Sequence, residues 1–207
     1  MRRFQLLGLT FVLALIVNGC GAARPVHFYV IDPGPMTANP ATAKIPVTIL
    51  VARITASHLY REDRLVYGAG DVQFGIHENE RWTESPVDMM QDMLLSSLRA
   101  SGQYASVARI GSMQTGNYIL RGHLNSLYEV DKPSLLGRFS LELELFDRKA
   151  GTTVWSDSYT HDEPVSGKSV PDVIQALDRN VHGGIQQLTA SLGQYFASHP
   201  PQTTQGQ

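Results

Sequence analysis

From Leu141 to Leu145 every second residue is leucine and the residues between are glutamates. That period of two is expected of a strand with one face toward a core and the other toward water. The same alternation runs through 118–130, where Tyr118, Leu120, Leu124, Tyr128 and Val130 fall on one face. After Leu145 the turn-forming "DRKAG" returns the chain into "TTVWSDSYT", whose Trp155 reads as core. These segments predict an antiparallel meander with one wet face. Upstream, the β-branched "IPVTILVARI" predicts a buried strand, "YASVARI" a short one, and "VHFYVID" another that stops at the turn-forming "DPGP". Between Thr55 and Trp82, Gly68, Gly70 and Gly75 punctuate two short apolar pieces, a pattern that fits a hairpin or a long irregular loop.

Two segments change to a helical period. Val87, Met90, Leu94 and Leu98 share one face, after Ser85 as N-cap, Pro86 at the first helical position and Asp88 at the positive end of the dipole; Gly102 is the stop. The second begins near Ser169, where Ser-Val-Pro-Asp resembles a capping box, and continues through Ile174, Leu177, Val181, Ile185, Leu188 and Leu192. Gly183 and Gly184 interrupt it at about 1 kcal/mol each relative to alanine, so packing must offset them or the helix bends. The polar tail 199–207 predicts disorder. Strands, a helix, a meander and a second helix predict an α+β two-layer sandwich: a mixed, mostly antiparallel sheet with both main helices on one face, in a single domain over 26–198.

Residues 1–25 follow another rule. Arg2 and Arg3 precede an apolar run from Leu6 to Val17 that is too short for a bilayer span of about 20 residues, and small residues follow: the three parts of a secretory signal. Val17, Asn18 and Gly19 stand directly before Cys20, the only cysteine of the chain. That arrangement resembles the lipobox of bacterial lipoproteins. The resemblance implies a signal peptide over 1–19, cleavage between Gly19 and Cys20, diacylation of the Cys20 thiol, and a short lipidated tether over 20–25. A plain signal peptide with an unmodified cysteine is the other reading. Gly21 stands where an aspartate commonly marks inner-membrane retention in enterobacteria, which points to the inner leaflet of the outer membrane and a domain on the periplasmic side.

Composition narrows the function further. Lys and Arg number 17 against 19 Asp and Glu, a net charge of -2, so no basic footprint favours nucleic acid. With Cys20 lipidated, the domain has no thiol left for a disulfide and depends on core packing. The histidines at 27, 58, 77, 123, 161, 182 and 199 show no metal-ligand spacing. Gly167-Lys168-Ser169 matches the end of a phosphate loop, but Asp162 stands at the required first glycine and Pro171 lies in the following turn, so a loop and helix cap is the simpler reading. Glu142 and Glu144 on one strand face cannot flank a glycosidic bond and read as a solvated face. No Gly-x-Ser-x-Gly elbow occurs. The sequence points to no enzyme, no cofactor and no metal.

Several phrases resemble, in order, the auxiliary lipoprotein component of ABC-type transport systems, whose members include lipoproteins of Mce lipid-transport machineries. They are "FYVIDPGP", "YREDRLVYG", "RWTESPVDMMQDMLLSSLRASGQYASV", "NYILRGHLNSLYEV" and "SLELELFDRKAGTTVWSDSY". The most specific piece is Arg81-Trp82 followed by Pro86. The resemblance implies a non-enzymatic periplasmic subunit that works with a substrate-binding Mce-like protein and an ABC permease and ATPase in moving lipids or other apolar substrates. An envelope lipoprotein that activates or chaperones another complex, such as a cell-wall synthase, is the alternative, and a hydrolase a third. Tyr60, Tyr67, Arg81 and Trp82 are the candidate partner contact, the three aromatics forming a patch of the kind enriched at interfaces. For Trp82 the competing reading is structural, an aromatic packed on the first turn of the helix.

Overall fold

A computed structural model gives the fold over residues 24–32, 45–69 and 72–201. The expected signal peptide over 1–19, Cys20 and the end of the polar tail lie outside these described residues. In chain order the strands are β1 (His27–Tyr29), β2 (Ile45–Val51), β3 (Thr55–Ala56), β4 (Arg64–Ala69), β5 (Gln73–Trp82), β6 (Tyr104–Arg109), β7 (Tyr118–Val130), β8 (Leu136–Asp147) and β9 (Thr152–Pro164). The helices are α1 (Pro86–Ala100) and α2 (Val170–Ser198), and a 3-10 turn at His58–Tyr60 precedes β4.

The predicted meander forms as β7, β8 and β9, paired antiparallel over almost their full lengths. The other edge of β7 is shared in succession by β2, β3 and β4, each parallel to it. Beyond them β6 runs parallel to β2, β5 closes an antiparallel hairpin with β4, and β1 lies parallel to β5. The sheet is mixed, as the pattern predicts. Its long ladders are antiparallel, and its parallel pairings are all short.

One face assignment differs from strict alternation. A bulge between Leu124 and Ser126 shifts the register of β7, so Leu127 pairs with Phe139 and Tyr128 with Arg138. Leu127 therefore joins the side of Phe139 and Leu141, while Tyr128 and Val130 turn to the opposite side. Tyr128 is still buried, with the Phe74 ring edge-on at 5.2 Å and Arg138 Nη1 donating to its hydroxyl at 3.0 Å.

Both helices start as their caps predict. The Ser85 hydroxyl accepts from Asp88 N at 3.4 Å, and the Ser169–Asp172 capping box is complete. Gly102, at φ 64°, turns the chain out of α1 in the left-handed region. One core joins α1, α2 and the sheet face that carries Val47, Ile49, Val51, Leu120, Leu124, Phe139, Leu141, Leu143 and Leu145. The helices meet where Ser97 Oγ and Thr189 Oγ1 are 3.3 Å apart. α2 does not break at its glycine pair, because Gly184 is where the helix comes closest to the sheet. A Cβ there would lie 2.6 Å from Tyr159 Cδ1 and 2.8 Å from Phe139 Cε1.

Candidate functional site

The candidate contact residues sit around the β4–β5 hairpin, and the structure separates them. Tyr60, in the 3-10 turn, is only 3% exposed, and Trp82, at the end of β5, only 1%. Both belong to the core. The expected aromatic patch of Tyr60, Tyr67 and Trp82 is therefore not a surface. Trp82 is fixed by its backbone as well, its N donating to Asp63 O at 2.7 Å while Thr83 N donates to Tyr29 O at 2.8 Å. Arg81 is half-buried and donates from Nη1 to His77 O at 2.7 Å and to Glu80 O at 2.9 Å. It braces the stretch of β5 where the register with β4 shifts between Arg64 and Val66.

Tyr67 remains on the surface, 36% exposed. Its ring lies across Gly75, whose missing Cβ would sit 2.4 Å from Tyr67 Cζ, and it meets the His77 ring at a centroid distance of 5.0 Å. His77 Nε2 in turn lies 2.9 Å from Glu129 Oε2, tying the hairpin to β7. Phe74 and Ile76, on the opposite face of β5 from Gly75, are also exposed, and so is Val72 before the strand. The hairpin thus shows apolar side chains on both faces, a feature the sequence reading did not single out.

Beside the hairpin, β1 is held by Glu80, whose Oε1 lies 3.2 Å from His27 Nδ1. Burial works to raise the Glu80 carboxyl, but hydrogen bonds from His27 and Tyr29 and the charges of His27 and His77 together hold it below the usual carboxylate range. Burial and the neighbouring Glu80 push the Tyr29 hydroxyl up to about 12.

Two grooves with charged side chains along them lie on the sheet. One, of about 400 Å³, is lined by Arg53, Thr55, Arg121, His123, Glu142 and Glu144. Glu142 and Glu144 are thus one wall of a groove, facing His123 and Arg121 as their cross-strand partners on β7. Thr55 Oγ1 donates to Gly122 O at 3.0 Å and lies 2.8 Å from His123 Nδ1. The two contacts hold the His123 ring against β3. The second groove, of about 450 Å³, runs past Ser126, Arg138, Ser140, Thr160, His161 and Asp162. There Arg138 grips Asp162 through Nε at 2.6 Å and Nη2 at 2.7 Å, which lowers the Asp162 pKa. Among the described residues no three His, Cys, Asp or Glu side chains come together as a metal site.

At the start of α2, where the phosphate-loop fragment falls, the Asp172 carboxylate accepts from Ser169 N at 2.9 Å and Ser169 Oγ at 2.6 Å. The protein's own anion occupies the helix terminus. A Cβ on Gly167 would collide with the same carboxylate.

The family model for the ABC-type transport auxiliary lipoprotein component matches residues 29–191, most of the chain and nearly all of the folded part. The chain belongs to this family. The auxiliary lipoprotein shares its fold with solved proteins of low identity. Protein XCC0632 from Xanthomonas campestris, of the DUF330 family, superposes with a TM-score of 0.71 at 19% identity, covering 84% of this chain and 98% of that one. The hypothetical protein CT253 from Chlamydia trachomatis gives 0.51 at 6% identity, covering 74% and 99%. No curated protein matches the chain. In this auxiliary lipoprotein the bidentate Arg138–Asp162 pair and the Thr55–His123 contact are braces between strands.

Proposed function

We propose that this auxiliary lipoprotein is a lipid-anchored, periplasmic subunit of an Mce-like ABC transport system for lipids or other apolar substrates, acting by protein–protein contact and not by catalysis. The family match over 29–191 carries the reading. Cys20 is the acylated residue, and Gly21 after it favours the inner leaflet of the outer membrane. Only residues 21–25 separate Cys20 from the start of the fold at Val26. At about 3.5 Å per residue the tether reaches no more than about 20 Å, so the domain stays at its own membrane and the Mce-like partner does the spanning.

The contact surface in this reading is the β4–β5 hairpin, where Tyr67, Val72, Phe74 and Ile76 are exposed. Aromatic and aliphatic side chains presented on a pair of strands are suited to anchor an interface. Photocrosslinkers placed at Tyr67, Phe74 and Ile76 in cells should trap the Mce-like subunit, and one at buried Tyr60 should trap nothing. Crosslinks to the permease alone, or none from any hairpin position, would overturn the assignment.

A further inference from the structure

β1 presents a second apolar surface that the partner contact does not use. Its side chains alternate: Tyr29 and Ile31 turn inward, Ile31 to full burial, while Val26, Phe28 and Val30 point out with 47%, 62% and 54% of their surfaces exposed. Single exposed apolar residues are ordinary on a soluble domain. Three in one row on a three-residue edge strand and its flanks are a built surface. The inward residues pin the strand, and the ladder from His27↔Glu80 to Tyr29↔Trp82 fixes its register, so the outer row cannot rotate into the core.

What lies opposite that row follows from the chain itself. Val26 is six residues after Cys20, so under the lipid-anchor reading, on which this inference rests, β1 is the first folded part of the domain beyond the membrane. We infer that the outward face of β1, made by Val26, Phe28 and Val30, rests in the interfacial layer of the bilayer that holds the Cys20 acyl chains. Aliphatic and aromatic side chains are suited to that layer, and the exposed Arg24 beside them is suited to anionic headgroups. The tether makes the contact intramolecular. A patch too small to bind free vesicles is then held by a high effective concentration of lipid. A membrane anchor six residues away reaches this row sooner than any freely diffusing protein, which is why lipid is the occupant. The contact turns a swivelling leash into a seated domain and fixes which way the hairpin faces.

The test uses the acylated protein itself. Acylation consumes the Cys20 thiol, so Phe28→Cys in the purified lipoprotein carries one environment-sensitive NBD dye, and Lys149→Cys, in the β8–β9 turn across the sheet, serves as reference. In vesicles of phosphatidylethanolamine and phosphatidylglycerol, the dye at 28 should shift to the blue and be quenched by doxyl-labelled lipid, while the dye at 149 should do neither. A dye at 28 that stays water-like on membrane-bound protein would overturn the inference and leave the anchor standing. So would one that is blue-shifted yet unquenched, which would mean that protein covers the strand. Two dyes per chain with loss of protein from the vesicles would remove the anchor, and this inference with it.

Discussion

Asn180 shows how much one side chain can decide. It is 2% exposed on the apolar side of α2. Its Nδ2 donates to Gly137 O and His161 O, both at 2.8 Å, and its Oδ1 accepts from the Tyr159 hydroxyl at 2.9 Å. Two strands and a helix are joined through one amide, and the buried amide's own donor and acceptor atoms are satisfied by these bonds. Asn180→Ala removes three hydrogen bonds between α2 and the sheet, so it should lower unfolding stability by about 3 kcal/mol in urea titrations followed by circular dichroism. Asn180→Asp should be worse still, because a carboxylate would then face two carbonyl oxygens. An asparagine between Leu177 and Val181 is visible in the sequence as a polar intruder on an apolar stripe. Nothing in the sequence says which carbonyls it serves, because those partners lie 19 and 43 residues away.

At the scale of elements, the glycine pair of α2 divides into one residue with a reason and one without. Gly184 sits against Tyr159 and Phe139 with no room for a methyl group, whereas a Cβ at Gly183 would come no nearer than 3.7 Å to the Tyr159 hydroxyl. Gly183→Ala should therefore stabilise by up to about 1 kcal/mol, the helix-propensity gain. Gly184→Ala has the same gain but an overpacking cost of about 1–3 kcal/mol, so the net change is destabilising. Thermal melts of the two variants should move in opposite directions.

The elements were largely legible: both helices, their caps, the meander and the α+β class follow from periodicity and turn chemistry. The face of Tyr128 was not, because the bulge after Leu124 reverses the inside and outside of β7 without leaving a turn residue to announce it. Nor were the parallel neighbours of β7, since alternation records that a strand has a buried face and is silent on which strand lies beside it. At the contact surface the aromatic residue types drew attention to Tyr60 and Trp82, which large side chains also earn by filling a core. Phe74 and Ile76 were passed over because exposure depends on the hairpin having no layer packed on it.

For the molecule as a whole, acid is the informative stress. Glu80 on β5, Asp162 on β9 and Asp172 at the start of α2 all have carboxyl pKa values held below normal in the folded state. A depressed folded value means stability that is fully present above the unfolded pKa, about 4, and lost as pH falls through the folded one. The urea midpoint should be level from neutral pH to about 5 and decline below about 4. Arg138→Met, which removes the bidentate grip on Asp162, should make that decline shallower. An unchanged acid profile in the variant would show that this pair does not contribute to it.

The position of β7 also sets an order in time. Among the described residues the group β1–β5–β4 and the group β2–β6 join the same sheet only through it, and β3 pairs with no other strand. Thr48 N finds its partner on Asn117, 69 residues later. A chain delivered only as far as α1 consists of a hairpin, an amphipathic helix and strands with an empty place between them. Long-range pairings of this kind form late, after the intervening chain is available. The N-terminal half therefore has no sheet to close until β7 is available, and this central strand, the last-made of the strands it joins, is the one that turns two separate strand groups into a single layer.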